Sequence, residues 1–94
     1  MKVHVEIREN KKIKNSELAI IHIYIDCKKE QLYTSAELIH GHAALQESVY
    51  AVMWNYDLDE GLILAQCPKK FLTNKEMRCN EIDMIKNILE LNIK

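Results

Sequence analysis

The residues with most chemical potential in this 94-residue chain are His40 and His42, the cysteines Cys27, Cys67 and Cys79, two lysine pairs and one acidic tip. Two histidines one residue apart share a face on a strand, where they could hold a metal; on a helix they diverge by about 200°. The segment around them reads as helix, and zinc-binding helices place their histidines a full turn apart. A metal also needs a third or fourth converging ligand, so none is expected: His40 belongs in solvent and His42 beside an apolar stripe.

Cys27 and Cys67 each follow an apolar run, Leu18 to Ile25 and Leu62 to Cys67. If those runs were parallel strands joined by a helical crossover, both thiols would reach one sheet edge together with Lys28, Lys29, Lys69 and Lys70. Lysine neighbours lower a thiol pKa, but a catalytic thiol also needs a base and an oxyanion hole. No histidine is placed to serve, and small core residues are the preferred reading of the cysteines. The same four lysines form a candidate phosphate-contacting edge, with Arg8-Lys11-Lys12-Lys14 as a second patch. Few aromatics and no arginine fork accompany them, which makes nucleic-acid binding the alternative reading. Asp57, Asp59 and Glu60 lack the continuation of a calcium loop and read as the solvated end of a helix. No Ser/His/Asp order, nucleophile elbow or nucleotide fingerprint occurs, so no cofactor is expected and a non-enzymatic role is favoured.

The elements that would position these residues are few. At this length residues 1–94 make a single domain. A content of 48% hydrophobic and 29% charged residues is that of a globular chain, and a net charge of −1 gives no global attraction to nucleic acid or anionic membrane. Two glycines and one proline exclude collagen-like and Gly-rich phosphate-loop readings. No apolar run has the length of a spanning helix, and Met1-Lys2-Val3-His4 is no signal h-region. Three cysteines without a C-x-x-C pair suit a reducing, cytoplasmic setting. Eleven lysines against two arginines, with twelve isoleucines and seven asparagines, point to an AT-rich coding source such as a phage or mobile element.

Alternation over Met1 to Arg8 predicts a half-buried strand, and Leu18 to Ile25 a central strand covered on both faces. Leu32 and Tyr33 could add a short third strand. Thr34-Ser35-Ala36-Glu37 reads as a capping box opening a helix to about Tyr56, and Thr73-Asn74-Lys75-Glu76 as a second box opening a helix to about Leu91, with the strand Leu62 to Cys67 between them. The expected fold is α+β: a small two-layer β-β-(β)-α-β-α domain with an antiparallel hairpin plus one helical crossover. This order resembles the opening of an RNase H-type layer. The likeness is one of topology, and Glu6 without a partner aspartate does not make the acidic set of a two-metal nuclease.

On helical wheels Leu38, Leu45, Val49, Val52, Met53 and Tyr56 form one stripe, with Ile39, Ala43, Tyr50 and Trp54 beside it. Met77, Met84, Ile88 and Leu91 form a stripe of the last helix, with Ile82, Ile85, Leu89 and Ile93 beside it. One sheet surface covers an apolar arc of about 100°, so the remainder is covered either by helix-on-helix packing within the chain or, the favoured reading, by a second chain. Two helices on one sheet face would also leave either Ala19/Ile21/Ile23 or Leu18/Ile20/Tyr24 in water. The favoured function is a non-catalytic small regulatory or inhibitory protein acting by protein–protein contact, homodimeric or with a protein partner. Ile39, Tyr50, Trp54 and Tyr56 are its expected interface anchors.

Overall fold

The computed structural model describes residues 2–12, 17–42 and 48–92. Period-2 alternation makes β1, Lys2–Glu9, a strand with Val3 and Val5 buried and Lys2, His4 and Arg8 exposed. It forms the expected antiparallel hairpin with β2, Leu18–Asp26, in a register that sets Val3 against Ile25 and Ile7 against Ile21. There follow α1 (Lys29–Gly41), β3 (Ser48–Asn55), β4 (Glu60–Pro68), the short α2 (Lys70–Thr73) and α3 (Lys75–Asn92). The sheet order is β1-β2-β4-β3, and every neighbouring pair is antiparallel. β2 and β3 therefore run the same way with β4 between them, and α1 is the helical crossover that joins them. The class is α+β, in two layers.

Both long helices lie on one face of the sheet, α3 over β1 and α1 over β3 and β4. The core between the layers is aliphatic: Ile21, Ile23, Ile25 and Ile63 from the sheet, and Ile39, Ile85 and Leu89 from the helices, are all 0% exposed. Each such side chain contributes about 1.5–3 kcal/mol on burial. Buried Ser35 is satisfied within its own helix, where its Oγ donates to the Gln31 carbonyl at 2.7 Å.

Several expected boundaries move. α1 begins a turn before Thr34. The Gln31 Oε1 accepts from the Lys28 N–H at 2.9 Å, which ties the chain at the helix start and draws Leu32 and Tyr33 into the helix instead of a strand. The helix expected up to Tyr56 is replaced over Ser48–Asn55 by β3. A β-bulge explains the misreading: the register shifts between Val49 and Ala51, so Val49, Val52 and Trp54 all pack against the core. One extra residue turns a period of two into a spacing of three, which on a wheel imitates a helix. Asp57 and Asp59 then belong to the hairpin turn 56–59, and Glu60 opens β4. The Asn55 Oδ1 accepts from the Asp57 and Leu58 N–H groups at 3.0 and 3.1 Å, and Asp59 adopts a φ of 51°, which aspartate tolerates. The second cap sits one residue later than expected, with the Asn74 Oδ1 accepting from the Met77 N–H at 3.1 Å. The observed element order is thus not the one on which the RNase H-type likeness rested. Lys14, Ala43, Leu45 and Ile93 lie outside the described residues.

Candidate interaction surface

With both helices on one side, the second face of the sheet has no layer over it. β2, expected to be covered on both faces, has Ala19, Ile21, Ile23 and Ile25 in the core and turns Leu18, Ile20, His22 and Tyr24 outward. The register builds this outer face in rows. His4, Tyr24, Leu62 and Met53 make one row, Glu6, His22, Leu64 and Ala51 the next, and Arg8, Ile20, Gln66 and Ser48 a third. Tyr50, the extra residue of the bulge, borders a cavity of about 540 Å³ shared with Ile20, His22 and Leu64. A second hollow of about 570 Å³ lies between Tyr24, Met53, Leu62 and the hairpin turn. Leu18, Tyr50 and Met53 are 42%, 50% and 45% exposed.

Polar groups frame this apolar middle. The Tyr24 ring lies 6.2 Å from that of His22 and 5.9 Å from that of His4, and its hydroxyl accepts from Arg8 Nη2 at 3.4 Å. Glu6 sits between His4, at 3.0 Å, and the Arg8 guanidinium. Hydrogen bonds from His4 first and Arg8 second hold its pKa below the ordinary carboxylate value, and the bond to Glu6 raises that of Arg8. Burial, with the Arg8 charge nearby, pushes the His22 pKa below its ordinary value of 6.5. Its Nδ1 is shielded from solvent and has no hydrogen-bond partner. Neutral His22 therefore behaves as part of the apolar middle.

The four expected anchors do not converge. Ile39 is wholly enclosed in the core and cannot be a surface anchor of this fold. Trp54 is turned to the helix side and half-buried against the core. Tyr56 is 74% exposed at the hairpin turn, where its hydroxyl accepts from Lys29 Nζ at 2.6 Å. Tyr50 borders the outer face beside Ile20 and Leu64, and Trp54 and Tyr56 reach only the rim of its second hollow, at the hairpin turn. The residues that make up this face are chiefly on β2 and β4. The outward set Leu18, Ile20 and Tyr24 was legible in the alternation of β2; Leu62 and Leu64 needed the pairing.

The lysine edge is not formed. β2 and β4 are antiparallel, so Lys28 and Lys29 follow the end of β2 at one end of the sheet, and Lys69 and Lys70 follow the end of β4 at the other. Cys67 pairs with Ala19, eight residues from Cys27, so the two thiols are separated by about 27 Å of strand. The Cys27 pKa is raised, by burial first and Asp26 second, the reverse of what the lysine neighbours suggested. No disulfide forms. Lys69 and Lys70 instead share an end of the molecule with Arg8, Lys11 and Lys12, as α2 packs against β1. Asp26, Asp57, Asp59 and Glu60 lie at the opposite end, together with Lys2, Lys28 and Lys29. His40 and His42 are both exposed, and the described residues hold no group of three metal-ligating side chains. No described helix is long and apolar enough to cross a membrane. No protein-family model, curated protein or solved structure matches this chain.

Proposed function

We propose that this is a small non-catalytic regulatory or inhibitory protein that binds another protein through the outer face of its sheet. The observation that carries the reading is the apolar row structure of that face, with Ile20, Tyr24, Leu62, Leu64 and Met53 lying outside any layer of the fold. Contiguous apolar surface of this kind marks interaction sites, and tyrosine and methionine are favoured at the centres of such sites. One end of the face describes the partner: an apolar patch with an acidic margin toward Arg8, Lys11 and Lys12, the other end being of mixed charge. Charge at the rim sets orientation and encounter rate, while the middle supplies affinity.

Leu64→Lys tests this, because Leu64 is at the centre of the face and a lysine there can extend its head to water in the free protein. A partner retained by the wild type from a lysate of the source organism should bind at least about 30-fold more weakly, the loss of one central anchor. Asp83→Lys, on an exposed position of α3, should retain it. Undiminished capture by the Leu64 variant refutes the assignment. The second reading, nucleic-acid binding, is favoured by the five cations gathered at one end of the sheet. Phosphate contacts would weaken by orders of magnitude between about 50 and 200 mM salt, whereas apolar association should persist.

A further inference from the structure

The two outer strands of the sheet are chemically unlike. β1 carries Lys2, Glu6, Arg8 and Glu9, the kind of charge by which edge strands avoid meeting other strands. β3, Ser-Val-Tyr-Ala-Val-Met-Trp-Asn, has neither a charged residue nor a proline, and none of its eight residues is buried. Among the described residues its backbone bonds only to β4, so the groups along its outer side lack a strand to pair with. We infer that a second copy of this chain pairs antiparallel with β3, edge to edge about a two-fold axis, so that two four-stranded sheets become one of eight strands.

Charge selects a second copy over another strand. An uncharged edge can meet itself in any register without opposing like charges, while a site for a charged peptide would carry the complementary sign. The helix above adds to this. α1 lies over β3 and β4, and α3 over β1, so the flank of α1 turned away from α3 overhangs the β3 edge. Leu38, on the other flank, packs against the core. Lys29, Tyr33, Glu37 and His40 recur at helical spacing along the overhanging flank, all exposed, and the bond from Lys29 to Tyr56 fixes that flank beside the end of β3. A two-fold axis through β3 sets α1 antiparallel to its copy. The Lys29 end of each flank then faces the Glu37 end of the other, a match that an isologous contact supplies twice.

Size points the same way, and here the inference rests on the proposed function. Four strands about 4.8 Å apart and eight or nine residues long present roughly 19 by 29 Å, or about 550 Å². A standard interface takes about 800 Å² from each partner. Two faces joined along β3 present about 1,100 Å² with Tyr50 and Met53 at the seam, enough for one partner.

Sedimentation equilibrium of the whole chain across micromolar to submillimolar concentrations tests the pairing. The expected result is a closed species of twice the 11.0 kDa chain mass, with β3 amides protected from hydrogen exchange in proportion to dimer. Met53→Lys charges the edge, and Tyr33→Glu, midway between Lys29 and Glu37, sets the new carboxylate against that of the copy across the axis. Each should raise the dissociation constant by at least about tenfold. Leu64→Lys, away from the edge, should leave it unchanged, so loss of partner capture with the dimer intact separates this inference from the proposed function. A monomer at every concentration, masses that grow beyond two copies, a dimer indifferent to both edge variants, or one abolished by Leu64→Lys would each overturn it.

Discussion

Gly61 lies against Leu32 of the helical layer, and replacing it with alanine measures how tightly the two layers meet there. An ideal Cβ at Gly61 would lie 2.5 Å from Leu32 Cδ1 and 3.2 Å from its Cγ, against about 3.5–4.0 Å for a comfortable carbon contact. Leu32 is 1% exposed, so its side chain can give way only by moving within the core. The backbone does not forbid alanine, since no glycine has a positive φ, and the unfolded state favours the substitution by about 0.4–1 kcal/mol. Overpacking costs about 1–3 kcal/mol, so Gly61→Ala should destabilise by about 1–2 kcal/mol. For a domain of this size that lowers Tm by about 4–16 °C. Leu32→Ala alone should cost about 2–5 kcal/mol, but in its background the new methyl enters vacated space and Gly61→Ala becomes neutral or slightly stabilising. Urea unfolding followed by Trp54 fluorescence gives all four corners of the cycle. An equal loss in both backgrounds would show that the approach of α1 to β4 is not what requires glycine here.

Asn74→Ala removes the acceptor for the Met77 N–H at the start of α3 and should cost about 1 kcal/mol in denaturant unfolding, a loss that Asn74→Asp should largely restore. Because the His22 pKa lies below its ordinary 6.5, the unfolded chain binds more protons near pH 6, and stability should fall as pH drops from about 6.5 through the folded-state value. His22→Gln should flatten that slope between about pH 7.5 and 5.5; parallel wild-type and variant curves would place the titrating group elsewhere. Exposed Cys79 should react with a thiol reagent first, Cys27 more slowly because burial raises its pKa, and Cys67, 1% exposed, only on unfolding. Mass spectrometry of partly labelled protein reads that order directly.

How much of this fold the sequence discloses depends on whether local pattern and tertiary pairing agree. β1, β2 and their hairpin follow from strict alternation and a β-branched run, and the hydrophobic row of α3 around Ile85, Ile88 and Leu89 follows from helical spacing. Over Ser48–Asn55 the two levels conflict. The bulge at Tyr50 moves Val52 and Trp54 onto the face of Val49, and a three-residue step is ambiguous between a bent strand and a helix. Composition could have arbitrated: two valines, a tyrosine and a tryptophan in eight residues favour a pleated surface. Reading that segment as helix also made the next strand look parallel to β2. A single unrecognised bulge thus placed Cys27 and Cys67, and all four lysines, at one edge.

The surface that association requires survived that error in another place. The expected surplus of apolar helical circumference is absorbed only in part: Ile39 is enclosed, Trp54 and Met77 pack on the core, and Tyr50, Met53, Tyr56, Met84 and Leu91 remain outside. What remains uncovered is a property of the sheet. A sheet has two faces, and helices on only one of them leave the outward residues of every strand in water whatever their number. On β1 those residues are Lys2, His4, Glu6 and Arg8, as expected for a solvated face; on β2 and β4 they include Ile20, Tyr24, Leu62 and Leu64. The polarity therefore changes across the sheet from the charged β1 edge toward the uncharged β3 edge. Solubility alone gives no reason for that gradient, since it would favour charge on both outer strands. A contact that extends from the middle of the face over the β3 edge does give one, because the residues it covers must be able to leave water together.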